Sequence, residues 1–192
     1  MPVNLLIDSA TAVDLGALTD VEGFLNIIAP VATAIDLSVL ETVGSGENGG
    51  GLLADFTAFT GTVDLGALQT VGAPGQGGDL SIAGAITGLD LSALLSVEGS
   101  VDFVDTPSLA TATINAGLLS IGGDVLFTNA ALDQTSVDLI LVCLAALDGT
   151  GGTTSYDGHV VNLSGGTNAT PSATGTAAIV TLSGRGNFVF SN

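Results

Sequence analysis

An eleven-residue phrase that occurs five times constrains the fold of this chain more than any other feature. The copies are VDLGALTDVEG at 13–23, IDLSVLETVGS at 35–45, VDLGALQTVGA at 63–73, LDLSALLSVEG at 89–99 and the degenerate TINAGLLSIGG at 113–123. Their polar marker residues are Asp14, Asp36, Asp64, Asp90 and Asn115, spaced by 22, 28, 26 and 25 residues. A period in the twenties is the signature of a solenoid, in which each repeat buries its apolar residues by stacking on its neighbours.

Each repeat shows the alternation of a β-strand with one buried face. In the first copy Val13 and Leu15 point to one side and Asp14 points to the other. A second apolar run follows in most copies, for example FLNII at 24–28 and LLADF at 52–56. The pattern predicts two short strands per coil, with glycine at the turns and a flexible surface loop at the insertion SGENGGG, 45–51.

The pattern changes at about residue 131. The segment 132–147 has apolar residues at helical spacing, and Asp133 is placed to cap a helix there. Strands are predicted at 159–163 and 188–190, with a second helix at 172–186 between them, so these two strands should lie parallel and extend the sheet. We therefore expect one mainly β domain: a right-handed parallel β-solenoid of about five coils at 1–131, with an N-terminal segment at 1–12, and an α/β (helix-strand-helix-strand) capping unit at 132–192.

The charge is strongly acidic, with 19 Asp and Glu residues against one basic residue, Arg185. Nucleic acids and anionic membranes are bound through Lys and Arg, so neither is an expected partner. The opening residues lack the basic region and long apolar core of a signal peptide, and no stretch reaches the roughly 18 apolar residues of a membrane span. The single cysteine, Cys143, is expected to be a small buried apolar residue without a disulfide partner in the chain.

Residues for catalysis or for a transition-metal site are scarce. His159 is the one histidine, so a zinc or non-haem iron site is not expected, and no G-x-S-x-G elbow accompanies it. The chain has no tryptophan and one tyrosine, so the aromatic stacking platform of a typical sugar-binding cleft is missing, and Tyr156 is the only obvious candidate for such a role. We expect neither an enzyme nor a bound cofactor.

The repeated aspartates need an explanation of their own. Equivalent residues of stacked coils lie about 4.8 Å apart, where like charges repel by about 1 kcal/mol even in water. Three arrangements remain open for Asp14, Asp36, Asp64 and Asp90: solvated carboxylates that splay apart, a shared cation such as Ca²⁺, or pairing with backbone or a partner chain.

The C-terminal segment carries the most specific pattern. The strings SVDLILVCLAAL and VVNLSGGTNATPSATGTAAIVTLSGRGNFVFSN resemble the end of a group of leucine-rich-repeat-like proteins found in tailed-phage genomes and some bacteria. That group joins DL-x-x-L-x-x-V-x-G coils to a segment reading roughly SGGTNA-PSA-G-A--TL--RGW-V--N. The match is close over 136–192 and loose over the repeats, and Asn187 with Phe188 replaces the usual tryptophan, which implies a last strand displaced by one residue. The resemblance implies a leucine-rich-repeat-like virion or cell-surface structural protein without catalytic residues.

These observations lead to an expected role on the exterior of a phage particle. The chain is expected to be a capsid decoration (cement) protein that forms a homo-oligomer and contacts the major capsid or other virion proteins. Its contact candidates are the apolar residues near the two ends of the chain, namely Val3, Leu5, Leu6, Ile7, Phe188 and Phe190. The alternative is a tail or fibre-tip module that binds a host receptor through loops 45–51, 73–78 and 148–158.

Overall fold

The computed structural model describes residues 4–8 and 10–192, which form 18 strands and two helices. Strand β1 (Leu5–Asp8) precedes five repeats of three strands each. In chain order these are β2 (Ala12–Asp14), β3 (Asp20–Val21), β4 (Leu25–Ile28), β5 (Ala34–Asp36), β6 (Thr42–Val43), β7 (Leu52–Phe56), β8 (Thr62–Asp64), β9 (Thr70–Val71), β10 (Leu80–Gly84), β11 (Gly88–Leu91), β12 (Ser96–Val97), β13 (Val101–Asp102), β14 (Thr111–Ile114), β15 (Ser120–Ile121) and β16 (Val125–Leu126). The remaining elements are α1 (Gln134–Ala145), β17 (Val160–Leu163), α2 (Ala173–Gly184) and β18 (Phe188–Ser191). The protein is mainly β, as the repeats predict.

Apart from β5 and β8, equivalent strands of successive repeats pair with one another in the described part of the chain. Within the described residues, the third strands join β1, β17 and β18 in an eight-stranded sheet of order β1-β4-β7-β10-β13-β16-β17-β18. The second strands form the sheet β15-β12-β9-β6-β3, and the first strands form β14-β11-β8 and β2-β5. All of these pairs are parallel. Each repeat therefore contributes one strand to each of three sets of parallel strands.

Every repeat contains one strand more than the sequence predicts. The extra strand has two residues, as in Asp20–Val21, and follows a tight turn in which the Leu18 N–H donates to the Leu15 carbonyl at 2.8 Å. The apolar pattern shows one inward residue there, Val21, which is too few to reveal a period of two. The prediction of two strands per coil was wrong for this reason.

The core lies between the stacked strands and is built from the inward positions of the repeat. The turn leucines Leu40, Leu68 and Leu94 are fully buried, and burial of each such side chain contributes roughly 1.5–3 kcal/mol. Phe103 and Phe127, which directly follow β13 and β16, stack with ring centroids 4.9 Å apart. Each repeat thus completes the core of its neighbour.

The glycine-rich insertion 45–51 is only partly a surface loop. Ser45, Glu47 and Asn48 are exposed, whereas its glycines from 49 to 51 are buried. A Cβ on Gly51 would lie 2.5 Å from the Asp79 carbonyl oxygen of the next repeat. The expected surface loop is therefore half buried, because adjacent backbones pack against its glycines.

The C-terminal unit has the expected helix-strand-helix-strand order. The Asp133 carboxylate accepts the Ser136 N–H at 2.7 Å as the cap of α1, and the Ser172 hydroxyl accepts the Thr174 N–H at 3.1 Å as the cap of α2. The apolar positions that the helical spacing of 132–147 predicts to face the core are buried (Val137, Ile140, Leu141, Leu144 and Leu147), although Leu147 lies beyond the end of α1. Strands β17 and β18 extend the eight-stranded sheet in parallel, as predicted.

Candidate functional site

The four repeated aspartates each make the same local turn at the end of a first strand. The Oδ1 atoms of Asp14, Asp36, Asp64 and Asp90 accept the backbone N–H two residues further on, at 2.9–3.1 Å. Such Asx turns let a short polar side chain replace a backbone acceptor. One oxygen of each carboxylate is therefore bound to its own backbone.

The aspartates form two pairs, one in each sheet of first strands. Asp14 lies beside Asp36 in the pairing of β2 with β5, and Asp64 lies beside Asp90 in the pairing of β8 with β11. A glycine lies within each pair: a Cβ on Gly16 would sit 3.2 Å from Asp14 Oδ1 and 3.0 Å from Asp36 Oδ2. The two carboxylates of a pair thus converge on a position where the chain has no side chain.

The fifth repeat does not extend the second pair as the sequence alignment predicts. The register places Thr113, not Asn115, beside Asp90. Asn115 still makes the turn, since its Oδ1 accepts the Gly117 N–H at 2.8 Å. The fifth repeat therefore keeps the Asx turn, but its first strand pairs with β11 in a different register. The sequence pattern predicts the turn and not the register.

Hydrogen bonds from Ser38 set the electrostatic environment of Asp36. The Ser38 hydroxyl, at 2.7 Å, and then the Ser38 N–H hold the pKa of Asp36 below its ordinary value. Among the described residues, no group of three or more His, Cys, Asp or Glu side chains is arranged to hold a metal ion. In the described residues, therefore, neither aspartate pair has a third such side chain beside it to help bind the Ca²⁺ suggested for Asp14, Asp36, Asp64 and Asp90.

The three loops proposed for receptor binding do not share one corner of the repeat. Loops 45–51 and 73–78 pack together, because a Cβ on Gly49 would lie 2.9 Å from both the Gln76 Cβ and the Gly77 oxygen. Loop 148–158 is held at another corner, where the Thr154 N–H donates to the Leu119 carbonyl at 2.7 Å. The first two loops form one surface, which exposes Glu47, Asn48 and Gln76.

The apolar contact candidates lie on the two edge strands of the eight-stranded sheet. In β1, Leu6 is 61% exposed, whereas Leu5 and Ile7 pack against the core; Val3 lies outside the described residues. In β18, Phe188 is 64% and Phe190 is 51% exposed. The alternation of a strand explains why the candidates divide between exposed and packed positions.

Tyr156, the one obvious candidate for stacking on a sugar, is not accessible to a ligand. It is fully buried, its ring stacks on His159 with centroids 4.9 Å apart, and its hydroxyl has no hydrogen-bond partner among the described residues. Burial, and then the charge of Asp124, raise the pKa of Tyr156. His159 Nδ1 lies 4.0 Å from Asp124 Oδ1, so the structure brings together three titratable groups that the sequence does not associate.

The polar residues of the C-terminal motif bind the backbone of the chain itself. Asn168 donates to the Phe127 and Leu163 carbonyls and accepts the Leu132 N–H, all at 2.8–3.0 Å. Arg185 donates to the Ala145 and Leu147 carbonyls at 2.7 Å, at the end of α1. Asn187 donates to the Tyr156 carbonyl and accepts the His159 N–H. Sequence reasoning found the motif but not these roles.

No helix in the described part of the chain combines the length and apolar character needed to cross a membrane. Comparison of the chain with protein-family models, with curated proteins and with solved structures gives no match.

Proposed function

We propose that this chain is a non-enzymatic structural protein of a virion surface, a capsid decoration (cement) protein on the shell of a phage. In this proposal the parallel sheets are the faces of a right-handed, leucine-rich-repeat-like β-solenoid of about five coils. The unit at 132–192 closes one end of the stack. The chain acts as a rigid block, present in many copies, that contacts the shell and other copies of itself.

The proposal rests on the hydrogen bonds that polar side chains of the C-terminal motif make to the backbone. Asn168, Arg185 and Asn187 donate to backbone carbonyls of the last repeat and of the C-terminal unit, and so hold the two together. Buried polar groups need such partners, and these side chains supply them. Two residues that carry the resemblance, Asn168 and Arg185, thus serve the architecture of the chain, as does Asn187, where the chain departs from the pattern. This use favours a structural role over catalysis.

The surface chemistry also suits a shell protein. The exposed aspartates at the strand ends give an acidic exterior, while Leu6, Phe188 and Phe190 leave apolar area at the sheet edges. Exposed apolar patches with polar surroundings are typical of contact sites between proteins.

Removal of the gene from the phage tests the proposal directly. Particles that lack a cement protein should lose heat or chelator resistance of the shell while adsorbing normally to host cells. Added purified chain should restore the resistance. Loss of host adsorption with a shell of normal stability would contradict the cement role.

A receptor-binding module at a tail or fibre tip is the second candidate, favoured by the joined surface of loops 45–51 and 73–78. A triple variant, Glu47→Ser, Asn48→Ser and Gln76→Ser, alters exposed side chains of this surface. The receptor-binding role predicts that particles carrying this variant lose host adsorption, whereas the cement role predicts wild-type adsorption and wild-type shell stability.

A further inference from the structure

The acidic charge of the chain is confined to its first 157 residues. Those residues contain all 19 Asp and Glu and no Lys or Arg, whereas residues 158–192 contain no acid and one Arg. The formal charges of the two parts are −19 and +1, consistent with the net charge of −18. Two copies that meet through the first part bring like charges together, while contact through 158–192 avoids this repulsion.

The acid-free segment also forms an apolar surface at one end of the molecule. Strand β18 is the terminal strand of the eight-stranded sheet and, within residues 4–8 and 10–192, has a strand partner on one side only. Phe188 and Phe190 are more than half exposed, on the face of β18 opposite to Val189, which packs against the core. All twelve residues of α2 are uncharged. An open, apolar strand edge of this kind is a template for pairing with another chain.

The acids that contact this segment are already bonded to it. Asp124 Oδ1 accepts the Val160 N–H at 2.9 Å, and Asp138 Oδ1 accepts the Ser172 N–H at 2.9 Å. Arg185, the one basic residue, donates to the Ala145 and Leu147 carbonyls and interacts electrostatically with Asp148, so its charge is directed toward its own chain. Apolar contact and strand pairing are therefore the main interactions that this surface offers.

We infer that a second copy of this chain docks on this surface through antiparallel pairing of the two β18 strands about a two-fold axis. The Phe188 N–H donates to the His159 carbonyl within the sheet at 2.9 Å. Because successive residues of a strand turn their backbone groups to opposite edges, Val189 directs its N–H and C=O to the open side. If the two-fold axis passes at Val189, the N–H of Val189 in each copy donates to the C=O of Val189 in the other. The same axis places Phe188 of each copy opposite Phe190 of the other. Cross-strand aromatic pairs of this kind are favourable.

The competing arrangement joins β18 of one copy to β1 of the next. It is less favourable because the outward positions of β1 are Leu6 and Asp8, so a carboxylate would lie near an exposed phenylalanine. It would also leave one edge open at each end and grow without limit, whereas a two-fold contact closes at two copies. The inference deepens the homo-oligomer of the proposed function by naming its interface and symmetry.

Sedimentation equilibrium of the purified chain over a concentration series tests the inference. The wild-type mass should rise from 18.7 kDa and level off at twice that value. The double variant Phe188→Ser, Phe190→Ser should dissociate at least about 30-fold more readily, since both copies lose their buried aromatic residues. The matched control is Phe24→Ser, which alters a phenylalanine that is 48% exposed away from β18 and should dimerise like the wild type. Circular dichroism verifies that each variant is folded.

A second variant separates strand pairing from apolar contact. Val189→Pro removes the N–H that points to the second copy, and proline is tolerated at such an edge position. A folded monomer is expected. Three results would each overturn the inference: a wild-type monomer at every concentration, a mass that grows past two copies without levelling, or equal weakening by Phe24→Ser.

Particle analysis distinguishes a failure of this interface from a failure of the proposed function. A chain that is monomeric in solution but occupies the shell in lattice numbers contradicts the dimer alone. A chain that dimerises as described but is absent from particles contradicts the virion role alone.

Discussion

Substitution of Gly51 by alanine should destabilise the protein through the spacing of its repeats. An added Cβ would lie 2.5 Å from the Asp79 carbonyl oxygen and 2.9 Å from the Asp79 nitrogen, although Gly51 does not have a positive φ. The 2.5 Å contact is about 0.9 Å short of the 3.4 Å at which ordinary contact begins. The same Asp79 carbonyl accepts the Leu52 N–H at 2.9 Å, so the repeats cannot separate by that amount without losing this bond.

The size of the effect follows from two costs and one gain. Overpacking costs about 1–3 kcal/mol, and the weakened hydrogen bond adds about 1 kcal/mol. The reduced entropy of the unfolded chain returns about 0.4–1 kcal/mol. The free energy of unfolding should therefore fall by about 2–3 kcal/mol, which for a chain of this length lowers Tm by about 4–12 °C.

Calorimetry and far-ultraviolet circular dichroism during urea unfolding measure this change. Gly184→Ala is the matched control, because no atom lies within 4 Å of the added Cβ at the end of α2. It should leave Tm unchanged or raise it slightly. A Gly51→Ala variant as stable as Gly184→Ala would refute the reasoning that the repeat backbones are in contact at this position.

Three further predictions follow from the cap, the buried thiol and the aspartate turns. Arg185→Lys should lower the free energy of unfolding by about 1–2 kcal/mol, since an ammonium group cannot reproduce both guanidinium bonds to the carbonyls that end α1; an unchanged urea midpoint would contradict this. Burial raises the pKa of Cys143 from 9.0 to about 11, so its contribution to stability is fully present below pH 9 and is lost as the pH rises to about 11. This loss of stability should reach about 3 kcal/mol. It should be absent in Cys143→Ala, which keeps only the loss above pH 10 that is due to Tyr156, since the pKa of Tyr156 is also raised. Ser38→Gly, which copies the residue of repeats one and three, should raise the pKa of Asp36 toward its ordinary value in a carboxyl NMR titration; an unchanged pKa would exclude the hydroxyl as its cause. Because the pKa of Asp36 is lowered in the folded chain, its wild-type contribution to stability is present at neutral pH and is lost as the pH falls through that lowered value.

The parts of the fold that the sequence predicts are those with a repeated or periodic signal. Parallel pairing of the third strands follows from the spacing of the copies, and α1 follows from its apolar period and from Asp133. The two-residue strands such as Thr42–Val43 carry too few residues for a period, and the pairing of Thr113 with Asp90 depends on the neighbouring strand. Tertiary contacts of this kind leave no local signal in the sequence.

Some features of the candidate surfaces can likewise be predicted from the sequence, and others cannot. The exposed edge residues Phe188 and Phe190 follow from strand alternation, and the absence of acids after Asp157 can be seen in the sequence itself. The stacking of Tyr156 on His159 and the bonds of Asn168 cannot be seen there, because each joins elements that are separate in the chain. The motif marks such residues without revealing whether they bind a ligand or the protein backbone.

The number of copies of this chain in purified particles, relative to the major shell protein, tests the central proposal most directly. Quantitative mass spectrometry should give a ratio near one to one or a simple fraction of it, since a cement protein occupies equivalent sites on the shell lattice. A ratio of a few copies per hundred shell subunits would contradict the cement role and favour a tail location. Absence of the chain from the particles would contradict both virion roles.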